Sequence, residues 1–284
     1  MRLPIALIAA GAILAAPAAA ALDGKDLPSK FGGAALATQT NGTGFGDNYS
    51  EADQLFGESA VAGVHIGVTG NIEQNGNPLI LFLDTMAGGS NVLNAAGGTY
   101  KVTNANGLTF DDDFAPDFAV EVDAFGGQLY GNYINLQTGE NAYVGQSKIQ
   151  PTGSGDYGFL NPAISFAYDN SNTAGVTASD ATGAATATTG IEFLLDPTFF
   201  GLAPGASFKL LALFNGQGGD YLSNQFLPGL PAGTGNLGNP KNVDLRQYAG
   251  NQFVTVPGGG GAVPEPASLS LLAFGLLPLI RRKK

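Results

Sequence analysis

The sequence predicts an all-β protein, an antiparallel β-sandwich of the jelly-roll kind with long loops. Short apolar runs of strand length recur along the chain, and turn residues such as Asn-Gly pairs separate them. No stretch of the body keeps an apolar period of 3.6 residues over three helical turns. We therefore expect two packed antiparallel sheets and little helix.

Seven segments have strand character. In chain order they are 60–69, 79–84, 118–124, 129–136, 163–168, 190–195 and 208–214. Within 118–124, Phe118, Val120 and Val122 alternate with smaller or acidic residues, as expected when one face packs inward and the other meets water. Single helical turns are expected over 49–56 and 196–202. The low-complexity segment 174–189 predicts a long loop or a weak edge strand.

The last 22 residues contain three distinct parts in order. They are the tetrapeptide Val263, Pro264, Glu265 and Pro266, an apolar run over 267–280, and the basic cluster Arg281, Arg282, Lys283 and Lys284. The apolar run favours hydrocarbon and the cations resist crossing it, so insertion should stop with the basic cluster in the cytoplasm. With about 14 apolar residues, the predicted C-terminal hydrophobic helix is shorter than the ~20 that span a bilayer comfortably. This length suits a transient anchor.

This order of parts resembles the PEP-CTERM sorting signal of Gram-negative bacteria, which an exosortase-type membrane enzyme processes. The resemblance implies transient anchoring in the inner membrane and removal of the tail. The body would then be released or attached to polysaccharide at the cell surface or outside the cell. The alternative is a plain C-terminal anchor, in which Pro264 and Pro266 only stiffen the approach to the membrane.

The N-terminus has the three regions of a secretory signal peptide. Arg2 supplies the positive charge, residues 3–14 form the apolar core, and residues 18–21 are all alanine. We expect signal peptidase to remove this signal helix after Ala20 or Ala21. The predicted organisation is a signal peptide (1–21), a β-sandwich body (22–256), a Gly-rich linker (257–262) and the sorting signal (263–284).

The composition of the body excludes several classes of partner and site. Residues 22–263 include 22 acidic and seven basic side chains, a net charge of −15. Nucleic acid and anionic lipid need basic surfaces, so neither is an expected partner. The chain has no cysteine, which excludes disulfides, thiolate zinc sites and a cysteine nucleophile.

A second resemblance lies within the body. The apolar segment 79–84 leads through Gly88 and Gly89 to the acidic loop and strand start over 107–118. This pattern resembles extracellular sandwiches of the DOMON and carbohydrate-binding-module type, which implies a similar fold and glycan binding. Segments 168–176, 220–225 and 248–253 resemble uncharacterised exported proteins that carry the PEP-CTERM signal, and this likeness implies no activity.

The acidic loop is the candidate metal site. Asp111, Asp113 and Asp117, together with Asp112, place four carboxylates within seven residues, where repulsion would raise pKa values or attract a cation. Calcium is the candidate ion because it prefers hard oxygen ligands. The alternative is a solvated turn, since the spacing of an EF-hand loop is absent. The sequence predicts no other cofactor.

The sequence gives little support to catalysis. His65 is the only histidine, and its place in an apolar segment favours packing over catalysis or metal binding. Met86 and His65 are the only body residues of the types that hold haem in DOMON relatives, but nothing in the sequence pairs them. The chain has no Gly-x-Ser-x-Gly motif, and with so many acids no particular carboxylate pair stands out.

The sequence thus predicts a non-enzymatic exported protein with a structural or adhesive role in exopolysaccharide or biofilm. The alternative is a carbohydrate-binding module, with or without calcium, that uses tyrosines and Asn or Asp side chains on one sheet face. The candidate tyrosines are Tyr130, Tyr133, Tyr143 and Tyr157. An extracellular glycoside hydrolase ranks below both. The expected partners are signal peptidase, an exosortase-type enzyme and polysaccharide.

Overall fold

The computed structural model describes residues 22–45, 50–97, 101–150, 158–159, 161–175 and 181–259. Within these ranges the strands are β1 Ala37–Thr38, β2 Glu51–Ala60, β3 Gly63–Asn71, β4 Asn75–Asp84, β5 Phe118–Phe125, β6 Gln128–Asn135, β7 Asn141–Gln150, β8 Gly158–Phe159, β9 Ile164–Asp169, β10 Gly190–Leu195, β11 Phe208–Asn215, β12 Leu222–Leu227 and β13 Val254–Val256. The helices are α1 Leu27–Lys30, α2 Lys101–Asn104 and the 3-10 helices Ala184–Thr186, Pro240–Asn242 and Leu245–Gln247. The predicted all-β class is confirmed.

The strands form one continuous sheet rather than the two separate sheets that the sequence predicts. Its order is β1-β2-β3-β10-β9-β7-β6-β5-β4-β11-β12, with β13 beside β11 and β8 beside β7. β7 joins the two halves, because it pairs with β6 along most of its length and with β9 at its end. The β7–β9 pair is parallel, with Ile149 opposite Tyr168, whereas the other strand pairs of the described residues are antiparallel.

The two ends of this sheet approach each other, so the sheet is nearly closed and barrel-like. Gln225 on β12 is fully buried, and its Oε1 accepts a hydrogen bond from Ala52 N on β2 at 3.2 Å. Gln39, next to β1, donates from Nε2 to Phe226 O at 3.1 Å. Side-chain amides therefore bridge the seam between the first and last strands.

The central strands of the sheet are buried on both faces. On β4, Leu79, Leu81 and Leu83 belong to the cluster inside the barrel, whereas Ile80 and Phe82 belong to a second cluster on the outer face. Side chains from residues 93–114 and 222–245 complete the outer cluster. Burial on both sides explains why β4 is continuously apolar instead of alternating.

All seven predicted strand segments coincide with strands, but the predicted helical turn over 49–56 is wrong. Its described residues from Glu51 onward form β2, which pairs with β1 and β3. The segment 196–202 contains a hydrogen-bonded turn, with Leu202 N donating to Pro197 O at 2.8 Å, but no helix. β7 and β12 are strands that the sequence analysis does not predict.

The predicted signal peptide and sorting signal lie outside the described residues. The same holds for most of the Gly-rich linker, of which residues 257–259 are described. Among the residues that the structure does describe, no helix has the length and apolarity needed to cross a membrane.

Burial of β4 on both faces can be tested by truncating one side chain on each. Phe82→Ala should lower the free energy of unfolding by about 3–5 kcal/mol and Leu81→Ala by about 2–5 kcal/mol, because each leaves a cavity in a packed cluster. Urea titration measures both losses. Phe125→Ala is the control, because Phe125 is 60% exposed and should change stability by only about 0.5 kcal/mol. A Phe82→Ala loss no larger than that of the control would contradict the two-sided burial.

Candidate functional site

Asp117, one of the three aspartates predicted to bind calcium, fastens a loop to the sheet. Its buried carboxylate accepts hydrogen bonds from Thr85 N at 2.8 Å and Met86 N at 2.7 Å. The Gln137 side chain donates to its other oxygen. The carboxylate therefore satisfies backbone groups just after β4, which is a common role for a buried aspartate at a strand end.

Asp111 and Asp113 also have structural partners. Asp111 Oδ2 accepts a hydrogen bond from Gln252 N at 2.7 Å, and Lys209 Nζ donates to the backbone oxygen of Asp113. The described ranges contain no group of three His, Cys, Asp or Glu side chains placed to hold a metal ion. The structure thus does not bring Asp111, Asp113 and Asp117 together as a calcium site, because two of these carboxylates already accept backbone hydrogen bonds.

His65 belongs to a charged network centred on Glu192. The Glu192 carboxylate on β10 is buried and lies 2.7 Å from both His65 Nε2 and Lys30 Nζ. It also accepts hydrogen bonds at 2.9 Å from the backbone N–H groups of Asp23 and Gly24. The network therefore fastens the N-terminal segment, including α1, over β3 and β10.

The hydrogen bonds around Glu192 keep it charged. Burial alone raises the pKa of this carboxyl group, but the hydrogen bonds from His65, Lys30 and the backbone outweigh burial and lower the pKa to about 2. Sequence reasoning missed this network because Lys30 and Glu192 are 162 residues apart and no local motif links them. The single histidine therefore has a structural role in holding the N-terminal segment.

Two buried carboxyl groups, Glu51 and Asp53, lie close together on β2. Asp53 is fully buried, and neither of its carboxyl oxygens has a hydrogen-bond partner in the described part of the chain. Burial and the nearby Glu51 charge raise the pKa of Asp53 to about 9, so it is protonated at neutral pH. No third acid joins the pair in the described residues, and we assign it no metal.

An open, polar and aromatic surface lies on the outer face of β6 and β7. Residues directly opposite each other on paired antiparallel strands share a face of the sheet. The pairs on this face are Gln128 with Lys148, Tyr130 with Gln146, and Asn132 with Tyr143. We call these six residues the tyrosine face. Five of them carry an amide or a phenol group, which can both donate and accept hydrogen bonds; the sixth is Lys148.

Tyr130 and Tyr143 provide the aromatic surface of this face. Tyr143 is 38% exposed and Tyr130 is half-buried, and Tyr143 Oη donates to Gln146 Oε1 at 3.3 Å. Burial and the neighbouring Tyr130 raise the pKa of Tyr143, so its hydroxyl group stays protonated at neutral pH. The rings and the amides are therefore available together to one ligand.

The other two candidate tyrosines do not join this face. Tyr133 is buried in the interior cluster, and its hydroxyl group donates to Glu140 Oε1 at 2.8 Å. Tyr157 lies outside the described residues. The structure thus brings two of the four candidate tyrosines, Tyr130 and Tyr143, onto one surface.

The charge beside the tyrosine face is locally balanced. Asp123 on β5 lies opposite Tyr130, and its carboxylate forms an ion pair with Lys101 Nζ at 2.7 Å. This pairing offsets one of the two acids beside the face, and burial raises the pKa of the other, Glu121 opposite Asn132, to about 7. Such a surface suits a neutral polar ligand better than an ionic one.

Comparisons of the chain with protein-family models, with curated proteins and with solved structures find no match. The resemblances to PEP-CTERM proteins and to DOMON or carbohydrate-binding sandwiches therefore stay predictions.

The Glu192 network predicts a specific loss of stability in acid. The pKa of Glu192 falls from 4.5 to about 2 on folding, so its contribution of about 3 kcal/mol is complete above pH ~4.5 and disappears as the pH falls towards ~2. Glu192→Gln should be less stable than the wild type at neutral pH and should lose less stability between pH ~4.5 and ~2. Urea titrations across this range measure both effects.

Glu58→Gln is the matched control for this experiment, because Glu58 lies at the rim of the same network and its side chain is 59% exposed. It should leave the pH dependence of unfolding close to that of the wild type. If the free energy of unfolding fell equally in Glu192→Gln and in the wild type between pH ~4.5 and ~2, Glu192 would not stabilise the fold through its charge.

Proposed function

We propose that this chain is an exported, non-enzymatic protein that acts as a structural or adhesive component at the cell surface or in the extracellular matrix. It contacts neutral polysaccharide through the tyrosine face. The observation that carries this proposal is the placement of Tyr130 and Tyr143 beside Asn132 and Gln146 on one open surface.

The chemistry of the tyrosine face matches that of a sugar chain. A sugar ring has apolar C–H faces that pack on an aromatic ring, and its hydroxyl groups both donate and accept hydrogen bonds. Asn132 and Gln146 offer both functions in their amide groups. The net charge of −15 over residues 22–263 disfavours acidic polymers, which makes a neutral glycan the best-matched ligand.

The proposed route to the surface follows from the two ends of the sequence. Signal peptidase would remove the signal helix, and the C-terminal helix would hold the protein in the inner membrane until an exosortase-type enzyme acts at Pro264, Glu265 and Pro266. Support comes from the order of motif, apolar run and basic cluster over 263–284, together with the signal-peptide pattern over 1–21.

Glycan binding can be tested with Tyr143→Ala. A glycan array first identifies a neutral oligosaccharide that binds the wild-type protein, and calorimetry then measures its dissociation constant. The variant should bind about tenfold more weakly, because it loses the more exposed of the two aromatic rings on the face. Tyr221→Ala is the matched control, since Tyr221 is 48% exposed and lies away from β6 and β7. It should bind like the wild type.

The same measurements with a chelator distinguish glycan binding that needs calcium from glycan binding that does not. Unchanged affinity would show that binding does not need calcium, and a lower affinity would show that it does. Equal losses in Tyr143→Ala and Tyr221→Ala, or no neutral glycan bound by the wild type, would refute the tyrosine face as a glycan site.

The sorting route can be tested by replacing Pro264 and Glu265 together with alanine. The double variant should remain in the inner membrane with its tail intact, because the processing enzyme no longer recognises the motif. Membrane fractionation and mass spectrometry of the C-terminus measure retention and cleavage. Pro257→Ala, a proline outside the motif, should be processed normally. Normal tail removal in the double variant would refute the sorting assignment.

A further inference from the structure

The first and last described residues lie at the same end of the barrel, beside the β2–β3 hairpin. Leu22 and Ala60 line the same cavity of about 350 Å³. On the C-terminal side, Ser59 N donates to Pro257 O at 3.2 Å, and Gly259 N donates to Ser59 O. The described chain therefore both begins and ends near this hairpin.

The same end carries the two large aliphatic side chains with the highest exposed fractions among the described residues. Val61 at the tip of the hairpin is 73% exposed, and Leu194 on β10 is 47% exposed. Leu194 and Ala62 line both the first cavity and a neighbouring one of about 300 Å³. We define the apolar end as Leu22, Val61, Ala62, Pro162, Leu194 and Pro204.

The turn of the β2–β3 hairpin is unusual in its residues. Ala60 pairs with Gly63, so the turn consists of Val61 and Ala62 alone. Two-residue turns favour Gly, Asn and Asp, and the β5–β6 hairpin follows this rule with two glycines at positive φ. Val61 neither helps the turn geometry nor packs on the barrel. Exposed apolar side chains that line two neighbouring cavities make this end a candidate contact surface.

The short connection after Gly259 keeps the predicted C-terminal membrane segment, and with it the bilayer, close to the apolar end. Seven residues lie between Gly259 and the start of the apolar run at Ala267, and the eight Cα–Cα steps from one to the other span at most about 28 Å. The run can therefore enter hydrocarbon only within about 28 Å of the apolar end. The apolar core of the predicted signal peptide ends at Leu14, also eight residues before Leu22. Both predicted membrane segments thus connect to this one end.

We propose that the apolar end rests on the surface of a lipid bilayer while the C-terminal tail anchors the protein, with Val61 and Leu194 in the boundary between headgroups and acyl chains. This inference rests on the proposed export and anchoring. The net charge of −15 over residues 22–263 and the exposed Glu58 carboxylate disfavour anionic headgroups, so the contact is with zwitterionic lipid.

The contact orients the protein and ends when the tail is removed. Two exposed aliphatic side chains bury too little apolar area to hold the body on a membrane without the anchor. The tyrosine face lies on the side of the barrel, on the outer face of β6 and β7, and β9 and β10 separate these strands from the β2–β3 hairpin. Cleavage of the tail is then sufficient for release.

A single tryptophan in the full chain tests this contact, because the natural sequence contains none. Val61→Trp and, independently, Leu194→Trp would be reconstituted into phosphatidylcholine vesicles whose acyl chains are brominated, and bromine quenches tryptophan that touches hydrocarbon. Tyr221→Trp is the control. Tyr221 is 48% exposed and precedes β12 at the opposite end of the barrel, beside the end of β11.

The expected result is about twofold lower emission of the Val61→Trp and Leu194→Trp variants in brominated vesicles than in ordinary ones, with the Tyr221→Trp variant little changed. Vesicle flotation in the same samples reports anchoring by the tail. Flotation without selective quenching would overturn the inference and leave the anchoring proposal standing. Failure to float would overturn both, because the premise of the contact would be wrong.

One further outcome identifies a different partner. A blue-shifted emission of the Val61→Trp variant without bromine quenching, together with twice the monomer mass in solution, would mean that a second copy covers the apolar end. That result would overturn the membrane contact in favour of self-association.

Discussion

The fold depends on how the two edges of the sheet meet at the seam. Gln225 Nε2 donates to Asn41 O at 3.0 Å, and its Oε1 accepts from Ala52 N at 3.2 Å. Gln39 Nε2 lies within hydrogen-bonding distance of both Ala52 O and Phe226 O. Edge strands leave backbone groups that need partners, and these buried amides supply them. Closure of the seam completes the wall around the large apolar cluster inside the barrel.

Closure also determines which surfaces are free to bind. One face of β4, β5 and β11 lines the interior, and the outer cluster covers the other. The tyrosine face lies beyond the edge of that cover, and the apolar end lies at the hairpin of β2 and β3. The two proposed contacts, with glycan and with lipid, therefore use different residues of the barrel.

Local patterns predict the apolar strands well and the polar ones badly. Ser50 followed by Glu51 looks like the start of a helix, but pairing with β1 and β3 on either side makes the segment a strand, and two acids become buried there. β7 carries Tyr143 and Gln146 on its outer side, and only isolated residues such as Val144 face inward, so no apolar run marks it.

All the tyrosines of the tyrosine face are among the candidates that the sequence analysis names. Which two of them meet depends on the register of β6 and β7, and the bonds of Glu192 depend on contacts between distant segments, which no local spacing encodes.

The short β13 strand gives the barrel a mechanical property. It is held to β11 by three residue pairs, from Phe208 with Val256 to Leu210 with Val254. A pull on the chain beyond Gly259 acts on the hydrogen bonds of Pro257 and Gly259 with Ser59 before it reaches these three pairs. Peeling residues 254–259 frees about 20 Å of slack. Tension along the chain beyond Gly259 would be taken up by this extra length before it reaches the seam.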